Sequence, residues 1–477
     1  MEGPGRARTR EPPRTQAELT ENVSESPSSR AGSWARIRHL AEATPEDRNR
    51  YVDFLRAVSI CVVVVGHWLM AAPTVETGLA FTLSDLLEVQ PWTQWLTWVF
   101  QVMPIFFVVG GYANAVSWES AQARGDGYDQ WVSQRLQRLV RPVLPFVLAW
   151  CAFAFVARWA GLGRRIVDSG SVAAFVPTWF LAAYVVLVLL APAMYRLWRS
   201  SGMTSFWTLV AGAAVVDVVA RMPGLPWVSW VNYIFVWLAI HQLGFAWRDG
   251  AFTEGRRALS FALGGFAALV VLKGLAGYPT SMVTVPGDTA ANSNPPTLAL
   301  LALGVMQAGF LLALQAPARR WLRRPTPWAL TVFVNGSIMT VYLWHATVMV
   351  LLVGLLEWPG GIGLHLEPGT GAWWATRIPW TLALSVMLAG LLAVFGPLEA
   401  RLRPSVSIPS TLRNVVGALA VCVGLVALAN GGIGGANPLG FRLWPVLLTL
   451  GGAMFVVLRG VPGRKPPAAR VGSWSDM

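Results

Sequence analysis

The sequence predicts an all-α polytopic transmembrane helical bundle, and three observations lead to that fold class. Of the 477 residues, 55% are hydrophobic and only 13% are charged, whereas soluble domains carry about 25% charged residues. Many of the 25 tryptophans fall near the ends of apolar stretches, as in the aromatic belts of membrane proteins. The basic residues, which give a net charge of +13, form short clusters between apolar stretches, which argues against a nucleic-acid-binding surface.

The chain begins with a segment that cannot form a core. Residues 1–43 are rich in Arg, Pro, Ser and Glu, a composition that predicts a disordered tail, and no apolar stretch adjoins these charges as in a signal peptide. Thr44-Pro45-Glu46-Asp47 then resembles a helix start, with a Thr cap followed by proline and acids. We expect four regions: a cytoplasmic tail over 1–43, a membrane domain over 44–400, two additional spans over 401–460 and a second cytoplasmic tail over 461–477.

Twelve stretches are apolar and long enough to predict membrane-spanning helices. The stretches separated by the fewest residues are the fifth and sixth, so this pair is the hardest to divide. The expected spans cover residues 51–71, 92–116, 141–160, 173–194, 204–221, 227–247, 258–276, 297–316, 329–356, 372–396, 413–430 and 440–459.

The loops between these spans alternate in charge. Odd-numbered loops are acidic or neutral, apart from Arg164 and Arg165 in the third loop. Because Lys and Arg accumulate in cytoplasmic loops, we expect a multi-pass protein of the cell membrane with both termini in the cytoplasm. The arginines of the even-numbered loops are Arg124, Arg135, Arg138, Arg196, Arg199, Arg248, Arg256, Arg257, Arg319, Arg320, Arg323, Arg324, Arg401 and Arg403.

The first span holds the ionisable side chains on which the functional prediction depends. The stretch opens with Arg50, Asp53 and Arg56, continues through apolar residues and ends at His67. Eleven residues separate Arg56 from His67, so on a helix they share nearly one face, about 16 Å apart along the axis. An ionisable group within a span is costly and usually functional. A buried histidine that bonds a neighbouring helix would nevertheless give the same sequence.

Asp53-Phe54-Leu55-Arg56, followed after ten residues by His67, resembles the signature of the acyltransferase-3 family of integral-membrane enzymes. The resemblance covers residues 50–400 and implies a core of ten spans, with the last two spans added to it. It further implies the transfer of an acyl group from acyl-CoA to a hydroxyl of a sugar or another acceptor. In that case His67 is the general base, Arg56 binds the donor, and Asp53 supports the site.

A second group of cations lies in the second loop. Arg135, Arg138 and Arg141 are spaced three residues apart, so on a helix they form one ridge. Guanidinium groups bind phosphate through paired hydrogen bonds, and the family has an Arg-x-x-Arg motif in this loop. Both Arg135/Arg138 and Arg138/Arg141 fit that motif, and we assign donor binding to Arg138 and Arg141. An ordinary cluster on anionic lipid headgroups explains the same charges.

Two further stretches match the family in part. The second span resembles its Phe-Phe, Ser-Gly stretch, but Gly110 stands where a serine is usual. Asn114 follows on the same helix as a polar group for an acceptor pocket or for helix packing. The start of the fourth span resembles the Trp-Phe-Leu element, with Thr178 in place of the usual histidine. Trp179 is a candidate to line the acceptor pocket, and an interfacial anchor is the alternative.

The ninth span contains Tyr342-Leu343-Trp344-His345, which resembles the Tyr-Leu-Trp-His of the family. Tyr342 and His345 are three residues apart and so share a helix face. We expect them to shape a polar cavity together with His67, or else to bond neighbouring helices. His241 and Asp217 also interrupt apolar stretches, but they match no motif.

The sequence contains no sign of a bound cofactor or metal. A Walker-type glycine-rich loop and a Glu-x-x-His pair are missing, and the three cysteines are scattered. We expect that the protein binds no cofactor. We expect acyl-CoA, most simply acetyl-CoA, to be the co-substrate, and a carbohydrate, glycolipid or other hydroxyl compound to be the acceptor. The protein should contact membrane lipids but not nucleic acid. A polytopic secondary transporter is the alternative function, because it too would combine many spans with buried ionisable groups.

Overall fold

The computed structural model describes residues 48–76, 80–252, 254–357, 361–401 and 410–457, with a few isolated positions between 38 and 44. Apart from those isolated positions, the predicted tails over 1–43 and 461–477 lie outside the described residues. Helices dominate the described ranges. Apart from two isolated β-bridges, the β-structure there is one antiparallel hairpin in which Ala71 pairs with Asp85. The prediction of an all-α polytopic bundle is confirmed.

The elements follow one another in chain order, and short 3-10 turns at Pro91–Leu96 and Pro226–Val231 precede two of the long helices. The hairpin strands, β1 (Ala71–Glu76) and β2 (Ala80–Asp85), follow the first helix. The helices are α1 (Arg50–Met70), α2 (Leu86–Val89), α3 (Thr97–Phe100), α4 (Met103–Ala123), α5 (Tyr128–Val140), α6 (Val143–Trp159), α7 (Arg164–Phe175), α8 (Thr178–Ser201), α9 (Met203–Ala220), α10 (Asn232–Arg248), α11 (Gly255–Ala276), α12 (Leu298–Ala313), α13 (Gln315–Trp321), α14 (Pro325–Gly336), α15 (Ile338–Glu357), α16 (Gly371–Arg401), α17 (Thr411–Gly431) and α18 (Leu443–Val457).

Among the described residues, ten helical segments are long and apolar enough to cross a membrane. The pair α12 and α13, bent by 52°, makes an eleventh if it is one span, and α18 is shorter, with 15 residues. Each of the twelve predicted stretches overlaps a helix. The fourth was predicted to start at residue 173, but there the chain is still in α7. The next helix, α8, starts after Pro177. Proline has no backbone N–H to continue the hydrogen bonds of the preceding helix.

Helix α1 and the segment α14–α15 run in the same direction. Near the start of α1, the Asn335 side-chain amide donates to the carbonyl oxygen of Asp53 at 2.8 Å. Ten residues later on α15, His345 contacts His67 near the other end of α1. These two contacts distinguish the two ends of the bundle: the Arg56 end, at the start of α1, and the His67 end, where α1 meets the hairpin.

Helix α16 runs antiparallel to this pair. The Trp380 indole N–H donates to the carbonyl oxygen of Trp68 at 3.1 Å, and the Thr340 hydroxyl donates to Glu399 at 2.7 Å. The N-terminal part of α16 therefore lies at the His67 end, beside the residues that follow α1. Trp373, in the first turn of α16, packs with Ala72 of the hairpin.

The C-terminal helices α17 and α18 belong to the same bundle as the rest of the described chain. Helix α17 packs against α5, α7 and α8, and α18 packs against α17, α5 and α6. The two helices approach each other closely at glycines, since a Cβ on Gly417 would lie 2.8 Å from the Gly452 carbonyl oxygen. The Ile433 amide, in the turn between them, donates to the hydroxyl of Ser171 in α7 at 2.8 Å.

Candidate functional site

His67 and His345 lie in direct contact between α1 and α15. The Nδ1 atom of His67 is 2.8 Å from Nε2 of His345. The next residue of α1, Trp68, donates its indole N–H to the carbonyl oxygen of His345 at 2.8 Å. His345 is fully buried, whereas His67 is partly exposed. The two histidines, which lie 278 positions apart in the chain, therefore form one polar pair within the bundle.

The hydrogen bonds of this pair determine which ring nitrogens carry protons. Nδ1 of His345 lies 2.6 Å from the carbonyl oxygen of Tyr342, and a carbonyl can only accept, so Nδ1 of His345 is the protonated nitrogen. Nε2 of a neutral His345 is then an acceptor, and Nδ1 of His67 must donate to it. The lone pair of neutral His67 remains on Nε2, which bonds no group among the described residues. An imidazole nitrogen in this state can accept a proton from a hydroxyl.

Tyr342 fixes this part of α15 against the start of α8. Its hydroxyl donates to the carbonyl oxygen of Pro177 at 2.5 Å, and its ring lies 5.9 Å from that of Phe180. Trp179, which precedes Phe180, is partly buried, and its ring lies 6.3 Å from that of Trp237. Trp179 and Tyr342 thus belong to one aromatic layer beside the histidine pair, between α8, α10 and α15.

At the opposite end of α1, Asp53 orients cations. Its buried carboxylate accepts a hydrogen bond from Nε of Arg48 at 2.6 Å and lies 3.7 Å from Nη1 of Arg56. The Arg56 side chain keeps 32% of its surface exposed. Asp53 therefore holds Arg56 at a place where its remaining donors can reach a ligand, and the structure does not bring Asp53 to the histidine pair.

Arg135 and Arg138 of the second loop lie near Arg56. Arg135 bonds the hydroxyl of Ser117 in α4 and donates to the Ala113 carbonyl oxygen at 2.7 Å. The charges that act on Arg135 include those of Arg56 and Arg138. Arg56 and Arg138 are thus both close enough to Arg135 to repel its charge. Such a cluster is stabilised when an anion binds between its members.

Arg141 has different surroundings. It is buried at the end of α5, where it donates a hydrogen bond to the side-chain oxygen of Gln137. The side-chain nitrogen of Gln137 in turn donates to the Ser133 hydroxyl at 3.1 Å. The spacing in the sequence allowed either arginine pair, and the geometry groups Arg135 and Arg138 with Arg56.

Asn114 lies where α4 and α10 cross closely. Its side-chain nitrogen is 3.1 Å from Nε2 of His241, and both residues are buried. A Cβ on Gly111 would lie 2.0 Å from the His241 carbonyl oxygen, and one on Gly244 would lie 2.1 Å from that of Val108. The close crossing therefore requires glycines, and Asn114 bonds across it, as expected for a polar group in helix packing.

Tyr184, which follows the Trp-Phe-Leu stretch in α8, lies against Gly110 of α4. A Cβ on Gly110 would lie 2.6 Å from the Tyr184 ring and 3.2 Å from its hydroxyl oxygen, so the tyrosine occupies the space of the serine that is usual at position 110. The signal in the sequence was the glycine at position 110, but only the fold shows which residue fills the space.

Asp217 has a complete set of partners within the protein. Its carboxylate accepts hydrogen bonds from Asn232 at 2.6 Å, from the Tyr278 hydroxyl at 2.7 Å and from the Leu298 amide at 2.8 Å. These bonds attach α9 to the segment that leads into α12. Asp217 therefore has an architectural role, and the transporter alternative, for which it was one argument, is not supported.

Comparisons with known proteins agree with the motifs. A family model described as an acyltransferase domain matches residues 49–396, well over half of the 477 residues. No match was found among curated proteins or among solved structures. Helices α17 and α18 lie outside the matched residues. Within the described ranges, no three His, Cys, Asp or Glu side chains lie close enough to hold a metal ion.

Proposed function

The chain belongs to this acyltransferase-3 family, and on that premise we propose that it moves an acyl group, most simply acetyl, from acyl-CoA to a hydroxyl of a carbohydrate or glycosylated acceptor. The observation that carries this proposal is the hydrogen-bonded series from the Tyr342 carbonyl through His345 to His67. This series leaves the lone pair on Nε2 of His67 available as a base. The protein that carries it is a multi-pass membrane protein with many apolar helices.

The proposed reaction needs one base and no covalent enzyme intermediate. Nε2 of His67 takes the proton of the acceptor hydroxyl while the acceptor oxygen attacks the thioester carbonyl. His345 accepts a hydrogen bond from Nδ1 of the resulting imidazolium and so stabilises its charge. As the tetrahedral intermediate collapses, the carbon–sulfur bond breaks, and His67 returns the proton to the departing CoA sulfur. The products are the acylated acceptor and CoA.

The donor would bind along α1. Arg56, with Arg138 and its neighbour Arg135, offers guanidinium groups for the phosphates of CoA. His67 lies eleven residues beyond Arg56 on α1, about 16 Å along the helix axis, and an extended pantetheine arm can cover that distance. The thioester would then react inside the bundle, where little water competes with the acceptor. Arg141, also assigned to the donor, is tested separately.

The acceptor would meet the aromatic layer beside His67. The Tyr342 ring lies 6.4 Å from that of His345, and Trp179 is linked to Tyr342 through Phe180. Aromatic rings give a sugar an apolar surface to stack on. Asn114 bonds within the α4–α10 crossing, which supports an indirect role for it in the pocket. The arginine-rich loops support an orientation in the cell membrane with the Arg56 end and both termini in the cytoplasm, so that acyl-CoA enters from there.

The test is CoA release by the purified protein in lipid nanodiscs, supplied with acetyl-CoA and a panel of carbohydrate acceptors. His67→Ala should lower turnover by about 10²–10⁴-fold, the usual contribution of a general base, while acetyl-CoA still binds. His365→Ala, which changes an exposed histidine outside the long helices, serves as the control and should retain activity. Near-normal turnover in His67→Ala would refute the catalytic assignment.

A further inference from the structure

Arg377, in α16, is a buried cation without a counter-ion among the described residues. Only 6% of its surface is exposed. Its Nη2 atom donates to the Thr376 hydroxyl oxygen at 3.3 Å, but Nε and Nη1 bond no group in the described ranges. A buried guanidinium with unpaired N–H groups is costly unless a ligand supplies acceptors. In the sequence this residue lies within the tenth predicted span and matches no motif.

Two indole rings limit the ligands that Arg377 can bind. Its guanidinium carbon lies 4.2 Å from the ring centre of Trp373 and 4.7 Å from that of Trp380. Such cation–π contacts stabilise the charge, and the two rings leave its N–H groups as the places where a ligand can bind. Its unpaired N–H groups point along the edges, in the plane of the group. Carboxylate and phosphate oxygens bind guanidinium in that plane.

The position of Arg377 connects it to the histidine pair. Trp380, which contacts the guanidinium, donates to the carbonyl oxygen of Trp68, and Trp68 in turn bonds the backbone of His345. Arg377 precedes Trp380 in α16 and so lies further toward the His67 end of the bundle. The Arg56 cluster is at the other end, so a donor whose phosphates bind Arg56 cannot also place them at Arg377.

We propose that Arg377, Trp373 and Trp380 form an acceptor subsite that binds a carboxylate or phosphate of the acyl acceptor. This inference rests on the proposed function and narrows its substrate class to anionic acceptors. A phospholipid headgroup offers the same chemistry. We assign the site to the acceptor because Arg377 is on the buried face of α16, whereas Ile378 and Leu382, with 71% and 62% of their surfaces exposed, mark the outward face.

The first test measures binding without turnover. The probes are glucuronate and inorganic phosphate, with glucose as the neutral counterpart, added to protein in phosphatidylcholine nanodiscs. With saturating CoA present to fill the donor arginines, glucuronate and phosphate should raise the melting temperature of the wild type and of Arg221→Gln, but not of Arg377→Gln. Arg221 is a matched control, since it stacks on Tyr278 at 4.5 Å and has the Asp217 carboxylate nearby. Equal shifts in Arg377→Gln would overturn the proposal.

Arg377→Lys covers the case in which the glutamine variant does not fold. Lysine keeps the charge but loses the planar fork, so the affinity for glucuronate should fall about tenfold, the equivalent of one hydrogen bond of about 1.4 kcal/mol. An unchanged affinity would contradict the subsite. Nanodiscs that also contain phosphatidylglycerol separate the two sources of the anion. If this lipid alone raises the melting temperature through Arg377 and glucuronate does not, the site binds headgroups and the acceptor assignment is wrong.

The second test follows transfer to paired acceptors, one with and one without a carboxylate. Arg377→Gln should raise KM for the acidic acceptor about tenfold or more, and leave KM for acetyl-CoA and acceptor-independent thioester hydrolysis unchanged. An equal loss with both acceptors would show a structural role and overturn the proposal. If the wild type transfers to no acceptor, the proposed function fails, while binding of anions at Arg377 is still decided by the melting experiment.

Discussion

The most informative single residue in the bundle is His345, because it decides what His67 can do. With its Nδ1 proton bound to the Tyr342 carbonyl, His345 can only accept from His67. The proton on His67 is therefore kept on Nδ1, and the lone pair is kept on Nε2. In the proposed reaction, this division of roles between a base and the group that orients it resembles that of known acyl-transfer sites, although an imidazole takes the place of a carboxylate.

His345→Ala should lower kcat by about 10²-fold or more, because His67 loses the acceptor that fixes its tautomer. KM for acetyl-CoA should stay unchanged. His345→Gln retains a side-chain oxygen that can accept from Nδ1 of His67, so it should recover part of the lost activity. Steady-state kinetics of the three proteins check this expectation. A glutamine variant no better than alanine would show that His345 acts through packing alone.

The arginines of α5 can be separated by single substitutions. Arg138→Ala should weaken acetyl-CoA binding about tenfold, since one charge-assisted contact is lost, and Arg138→Lys should recover little of it. Arg141→Ala should have the smaller effect, because Arg141 is buried and bonds Gln137. Calorimetric titration with a non-hydrolysable acyl-CoA measures both. If Arg141→Ala causes the larger loss, the donor pair is Arg138/Arg141.

At the scale of single residues, the sequence identified candidate site residues but not the hydrogen bonds that join them. The motifs singled out His67, Tyr342 and His345, and the structure shows their contacts. Spacing could not reveal the tautomer, which depends on a backbone carbonyl. Nor could it choose among the arginines, since a ridge with a spacing of three residues leaves both pairs open until α5 is packed against Ser117 of α4.

At the scale of elements, the close crossing of α4 and α10 holds the two sides of the site together. The crossing depends on Gly111 and Gly244, where any side chain would meet backbone atoms of the other helix. Helices in membranes associate largely through such close packing. The aromatic layer with Trp179 and the Ser117 contact of Arg135 both depend on where these helices lie.

Gly111→Ala should therefore destabilise the protein by about 1–3 kcal/mol, the usual cost of overpacking a close contact. Its new Cβ would lie 2.0 Å from the backbone oxygen of His241, so a helix has to move. Gly264→Ala in α11 is the control, since no atom lies within 4 Å of its added Cβ. Thermal unfolding of both variants in detergent gives the comparison, and equal melting temperatures would contradict the argument.

The sequence predicted the helices well but not their connections. Each long apolar stretch in the sequence overlaps a helix of the structure, because hydrophobic length is a strong signal for a membrane-spanning helix. The hairpin β1–β2 was not predicted, since two strands of six residues leave little periodicity between spans. The last residues of α7 were included in the fourth predicted span, which began at residue 173, because the apolar face of α7 continues into α8. The break between them comes from Pro177.

At the scale of the whole molecule, the loop charges predict how the bundle is oriented in the membrane. If the twelve predicted stretches all cross the membrane, the two termini lie on the same side, and the arginine-rich loops place that side in the cytoplasm. A phosphatase or fluorescent reporter fused after Met477 should therefore report cytoplasm. A periplasmic signal would mean an odd number of crossings, and the short helix α18 and the bent pair α12–α13 would be the first to re-examine.

The packing of α17 and α18 has a consequence for the order in which this protein is made. Helix α5 carries Arg135 and Arg138, and part of its surface is covered by α17 and α18. These helices leave the ribosome roughly 270 residues after α5, which at 5–20 residues per second is about 15–50 s later. When α17 begins, the family-matched part of the chain, which ends at residue 396, is already complete, but α5 still lacks these neighbours. We therefore expect the nascent chain to gain its ability to hold acyl-CoA only at the end of synthesis, and nonsense products that end before Thr411 to insert without it.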